Sequence, residues 1–257
     1  MSIVAIIWAQ AGAFFYFQDV IITLELQSTL TILFSFLSVF FLWNTLKPKY
    51  DEAVKNKDYK INYYKFKRKF SLFSTLLNKN NPKDTVISGI DEIVFGNKNS
   101  KLEIVLITNP FCGHCRPVHE VLEVILNHYG NEAKIIVRFN IPIDDLESDV
   151  VKIASNLLRL YIDKGMKICL TAMSQIYDGK PVKEWLQKWE AHHSNEEYYN
   201  SLQQQKNWCL KNKINFTPEI LINGRSFPKE YNRGDLIYFI EELHEESSNT
   251  LTMQETI

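Results

Sequence analysis

Hydrophobic positions are distributed very unevenly along the chain. From Gln27 to Leu46, in the run QSTLTILFSFLSVFFLWNTL, twenty residues pass without a charge. As a helix they rise ~30 Å, about the hydrocarbon thickness of a bilayer. Trp43 near the end of the run and Lys47 just beyond it fit an interfacial boundary. The pattern predicts a transmembrane helix over 27–46. Residues 2–18, SIVAIIWAQAGAFFYFQ, are also uncharged and close to the lower length limit for a span. They lack a basic leading region and a small-residue cleavage site, so they make a poor signal peptide. Asp19 and Glu25 bracket the short apolar link VIITL, which would suit an interhelical turn. Residues 1–46 therefore read as a membrane segment, a helical hairpin resembling the tail of a larger membrane domain.

The pattern changes abruptly after Leu46. Between Lys47 and Lys69 stand nine Lys or Arg and three acids, interleaved with Tyr50, Tyr59, Tyr63 and Tyr64. This is a juxtamembrane segment suited to anionic lipid headgroups, or a solvated helical linker. A linker over 47–83 closes with the loop signal Asn78-Lys-Asn-Asn-Pro82.

The remainder alternates apolar runs with amphipathic ones. LEIVLITNP after Lys101 predicts a buried strand, and Val118, Val121, Leu122, Ile125 and Leu126 recur at helical spacing. AKIIVRFNI, from Ala133 to Ile141, predicts a second strand, which completes a βαβ unit. Asp149 to Trp208 is helical in pattern, with breaks at Gly165 and Asp178-Gly-Lys-Pro181. Pro218 opens a third strand, Asn223-Gly224 signals a hairpin, and Arg225-Ser226-Phe227 returns as a fourth. Asp235 can cap a closing helix, LIYFIEELHEE, before a polar tail over 247–257 that should fray. The order is β-α-β, helices, then β-β-α. It predicts an α/β chain: a thioredoxin-like fold with a helical insertion over 84–246, preceded by one or two transmembrane helices.

Composition narrows the chemistry. The net charge of −1 gives no reason to expect nucleic acid. Four cysteines in 257 residues are too few for a disulfide scaffold. Cys112 and Cys115 form a Cys-Gly-His-Cys motif, while Cys169 and Cys209 stand alone. Only a thiolate exchanges disulfides. A strand-to-helix junction would aim unpaired N–H groups and the positive helix end at Cys112. His114 could add a charge or a donor; Gly113 and His114 are the modulating positions. Cys115, one turn on, can attack a mixed disulfide, and Pro117 fits a first helical turn. Phe216-Thr217-Pro218 precedes the third strand, and a proline there would be cis and lie beside the pair. The Thr217 backbone would then pair with a substrate peptide, unless the proline is simply a trans strand opener.

Other readings use the same residues. His119 could join Cys112 and Cys115 in a copper or zinc metallochaperone, although no second Cys pair stands at ligand spacing. A non-catalytic peptide-binding adaptor would keep the fold without turnover. Cys209 could relay electrons as an accessory thiol, or be a core residue on a helix. Cys169 reads as core and His192-His193 as surface.

The stretches ITNPFCGHCRPVHEVLEVIL and NWCLKNKINFTPEILINGRSFPKEY resemble the thioredoxin-like, DsbA-like domain of bacterial vitamin K epoxide reductase/thioredoxin fusion proteins. The shared runs are N-P-x-C-G-x-C, the W-C before the proline, and F-T-P-x-x-x-I-N-G-x-x-x-P. The resemblance implies protein-disulfide oxidoreductase activity at Cys112 and Cys115 and a cis Pro218. It also implies a membrane half with its own Cys pair and quinone site, but no cysteine precedes Cys112 here. The expectation is a membrane-tethered thiol–disulfide oxidoreductase with no cofactor and no metal of its own. Its partners would be protein or peptide thiols and disulfides, membrane lipid, and a quinone-linked membrane oxidoreductase. Disulfide chemistry favours a periplasmic domain; the Lys-rich segment after Leu46 favours the cytoplasm. The periplasmic placement is the expectation carried forward.

Overall fold

A computed structural model describes residues 3–189 and 198–254. It divides into two compact units, 1–66 and 67–257.

The first unit lies on helix α1, Ile3–Lys67. The turn expected around VIITL is helical: no Gly or Pro interrupts Asp19 to Leu26, so the backbone has no reason to break. One continuous helix replaces the expected hairpin. Its stretch from Gln27 is long and apolar enough to cross a membrane and is a candidate span. Leu30, Phe34, Leu37, Phe41 and Trp43 are exposed. The hydroxyls of Thr31, Ser35 and Thr45 donate to carbonyls one turn back, so the helix itself satisfies them. Pro48 removes one helical hydrogen bond just after Lys47, where water can satisfy the freed carbonyl.

The second unit opens with α2, Phe70–Asn78, inside the segment expected as linker. Phe73 is fully buried, stacked on Phe239 at 4.1 Å and edge-on to Tyr231 at 5.2 Å. The sheet holds β1 (Ile93–Gly96), β2 (Leu102–Thr108), β3 (Ala133–Phe139), β4 (Glu219–Ile222) and β5 (Arg225–Ser226), in spatial order β1-β3-β2-β4-β5. Only β2 and β3 are parallel, joined through α3, Arg116–Tyr129. Both are central and buried on two faces, which is why their sequences run apolar without alternation. Ile104, Leu106, Ile135 and Val137 join the larger core with α3; Val105, Ile107 and Ile136 join a second core on the other face.

The insertion comprises α4 (Asp149–Lys164), α5 (Met166–Tyr177) and α6 (Val182–Trp189), all packed into the larger core. α7, Tyr199–Lys211, brings Trp208 and Cys209 to the second core. There the buried Arg138 of β3 lies 4.4 Å from the Trp208 ring and pairs with Glu92 at 2.6 Å. A buried charge needs such partners, and this one ties β3 to α7 and to the start of β1. Asn223 and Gly224 turn the β4–β5 hairpin with φ of 46° and 80°. A Cβ at Gly224 would also meet the Lys83 carbonyl. The closing helix starts as a 3-10 segment, Arg233–Phe239, capped by Asn232 with Asp235 reaching back. It continues as α8, Ile240–Gln254, so the tail expected to fray from Ser247 is helical through Gln254. Ser247 and Ser248 donate to carbonyls one turn back, and no Gly or Pro stops the helix.

Candidate functional site

The site begins where β2 ends. Asn109 closes a tight turn, its side chain accepting from the Phe111 N–H at 2.8 Å and its carbonyl from the Cys112 N–H at 3.0 Å. The Cys112 carbonyl then accepts from the Cys115 N–H at 2.9 Å, and α3 starts with Cys115 as its N-cap residue and Pro117 in its first turn. No side chain caps α3; its first turn closes on the backbone, with the Val118 and His119 N–H groups donating to the Cys115 carbonyl at 3.0 and 3.1 Å. Cys112 is half-buried; Cys115 is fully buried; Gly113 and His114 are exposed.

The Thr217–Pro218 peptide is cis and abuts the pair: Cys112 Sγ lies 3.3 Å from the Thr217 carbonyl. Residues 105 apart in sequence thus meet at one sulfur. Burial pushes the Cys112 thiol up, yet hydrogen bonds from the side chains of Thr217 and Cys115 and from the backbone of His114 and Cys115 outweigh it. Its pKa falls below the ordinary value. Cys115 goes the other way, raised first by burial and also by donating to Cys112, against hydrogen bonds involving Thr108, Asn109 and Thr217. Cys112 is thus the more acidic sulfur of the pair and Cys115 the less acidic. The contribution of His114 comes through its backbone.

Behind Cys115 lies a polar group that no spacing in the sequence announces. Thr108, the last residue of β2, has its hydroxyl 3.0 Å from His119 Nε2 and 2.8 Å from the Tyr177 hydroxyl. The His119 and Tyr177 rings stack at 3.5 Å. Burial drives the His119 pKa down to about 3, so the imidazole is neutral and its Nε2 belongs to Thr108. Among the described residues no three His, Cys, Asp or Glu side chains gather to hold a metal ion.

Cys209 is not brought to the site. It sits in the second core, with Val105 and Ile107, and burial raises its thiol to about 11 against Arg138 and Lys206. Cys169 is buried in α5, its thiol donating to the Leu157 carbonyl at 3.3 Å and pushed up to about 12. His192-His193 lies outside the described residues.

A protein-family model described as Thioredoxin matches residues 88–242. Among solved structures, the chain is similar to a periplasmic thioredoxin-like protein from Salmonella enterica serovar Typhimurium (17% identity, 62% of this chain and 93% of that one, TM-score 0.51). It is similar to the catalytic domain of Proteus mirabilis ScsC (18% identity, 63% and 94%, TM-score 0.52). It also matches Proteus mirabilis ScsC in a transitional conformation (15% identity, 79% and 99%, TM-score 0.51). These likenesses are of fold. No curated protein matches the chain.

Proposed function

The chain belongs to the thioredoxin family, and from that premise we propose that it is a membrane-tethered thiol–disulfide oxidoreductase working through Cys112 and Cys115. The observation that carries the reading is the split between the two thiols: a half-buried Cys112 made more acidic, in hydrogen-bond contact with a buried Cys115 made less so.

In the oxidising direction, a substrate thiolate attacks Cys112 Sγ of the Cys112–Cys115 disulfide. The S–S bond breaks, and Cys115 leaves as a thiolate and takes a proton. A second substrate thiolate then attacks the substrate sulfur of the mixed disulfide and expels Cys112 as a thiolate. Two electrons pass to the pair, and the substrate gains a disulfide. In the reducing direction the Cys112 thiolate attacks and Cys115 resolves. A low Cys112 pKa makes it the better leaving group and stabilises the reduced pair, which favours oxidation of substrates. Beside this exchange, Thr217 and Pro218 present backbone to the substrate peptide; Pro218 has no N–H to compete for it.

The oxidant that regenerates the disulfide is proposed to be a quinone-linked membrane oxidoreductase. The support is the resemblance of N-P-x-C-G-x-C and F-T-P-x-x-x-I-N-G-x-x-x-P to the domain of vitamin K epoxide reductase fusions. Tethering rests on the exposed apolar stretch of α1 and a Lys-rich segment suited to anionic lipid headgroups. A periplasmic setting follows from the need for an oxidising compartment.

The test is equilibration of the full chain in detergent with glutathione buffers, with the Cys112 pKa followed by thiolate absorbance. A potential near about −120 mV marks an oxidase and one near about −270 mV a reductase. Cys115→Ser should accumulate mixed disulfides and Cys112→Ser should form none at this site. Thiols inert to oxidised glutathione at neutral pH would overturn the proposal.

A further inference from the structure

The loop that carries Thr217 and Pro218 has a second side. Phe216 and Glu219, which flank that pair, both line a cleft of about 730 Å³. Its walls bear Lys79, Lys83, Lys213, Lys229 and Arg233 against two carboxyl groups, Glu219 and Glu230. The first of these, Glu219, is buried, with Ser226 beside it. Lys83 donates to Ser226 at 3.1 Å, while Lys79 and Lys213 form no ion pair among the described residues. Lys213 adds a backbone observation. It holds φ 58°, a left-handed conformation that a side chain with a Cβ resists and that Gly or Asn normally takes. That conformation closes α7, whose end places Lys213 on the cleft wall: the Lys213 and Ile214 N–H groups donate to the Leu210 and Cys209 carbonyls.

We propose that this cleft binds an acidic stretch of the polypeptide whose cysteine engages Cys112, so that the chain selects cysteines in acidic sequence. The inference rests on the redox reading and extends it to substrate class. The reasoning is continuity. Thr217 touches the reactive sulfur, and the residues immediately before and after the Thr217–Pro218 pair line the cleft, so a peptide lying along this loop leaves Cys112 directly into a basic trough. The volume holds several side chains. Anionic lipid headgroups share the charge, but contiguity with the redox loop favours polypeptide.

The experiment uses the full chain in phosphatidylcholine nanodiscs and synthetic peptides with one central residue flanked by Glu, Gln or Lys. With serine at the centre, binding is read by fluorescence anisotropy and owes nothing to thiol chemistry. The Glu-flanked peptide should bind about tenfold tighter than the Gln-flanked one, with the gap closing in ~1 M salt, where charges are screened beyond ~3 Å. With cysteine at the centre, mixed-disulfide formation should follow the same order. In a Lys79→Gln/Lys213→Gly/Lys229→Gln variant the Glu-to-Gln ratio should fall toward one. Lys213→Gly alone relieves the left-handed backbone, so it should lower the ratio without lowering Tm. Charge-selective binding with no exchange by any peptide would keep the cleft and overturn the redox reading. Equal binding of Glu and Lys peptides would overturn the cleft. So would a variant that loses only its capture on phosphatidylserine vesicles and keeps its peptide affinity.

Discussion

His119 has given up its ordinary titration to sit in the core, and that has a pH signature. Its folded pKa of about 3 lies below the unfolded value, so between pH 6.5 and about 3 the unfolded chain binds a proton that the folded chain refuses. Stability from this residue is full above 6.5 and falls as pH drops through that window, by about 1.4 kcal/mol per unit. His119→Gln should flatten this part of the stability–pH curve measured by chemical denaturation. A curve unchanged by the substitution would remove the residue from the account. Thr108→Val keeps the shape but takes the shared hydroxyl from His119, Tyr177 and Cys115. Leaving those buried groups unpaired should cost about 1–3 kcal/mol. It should also raise the Cys115 thiol further and prolong the mixed disulfide in quench experiments. That Cys112 and Cys115 lie at a strand-to-helix junction beside a cis Thr217–Pro218 step was legible in the sequence, because each is a local motif at a strand boundary. Thr108 and Tyr177 were not: they are 69 residues apart, and only the packing of α5 against the end of β2 makes them neighbours.

At the level of elements, legibility followed length and periodicity. β2, β3, α3 and the insertion helices carry long apolar patterns, and the hairpin carries Asn223-Gly224. β1 offers four residues, too few for a period to show. Its neighbour in the sequence, α2, hides nine residues directly after a lysine-rich stretch, so composition masked the aromatic anchor Phe73. That anchor meets Phe227, Tyr231 and Phe239, and Phe73→Ala should destabilise the second unit by about 3–5 kcal/mol in denaturant titration. A loss below about 1 kcal/mol would mean α2 is dispensable for the core. The expected turn near residue 20 failed for a different reason. Two acids beside an apolar link can flank a turn, but without Gly or Pro they do not force one.

Over the whole molecule, two units share one chain, and the first carries a long exposed apolar stretch that is a candidate span. If α1 spans a bilayer, alkaline carbonate should leave the full chain in the membrane fraction, and its release would sink the tether. The second unit has its own accounting of sulfur. Cys169 and Cys209 lie in separate cores with thiols lifted to about 12 and about 11, Cys115 is buried, and Cys112 alone reaches the surface. A reduced, native molecule should therefore consume one equivalent of iodoacetamide quickly at neutral pH and ignore the rest. Each rupture of a core would uncover further sites for the reagent. The chain thus carries an internal gauge of its own integrity, readable by mass spectrometry as a stepwise gain in carbamidomethyl groups, without any probe having to be engineered into it.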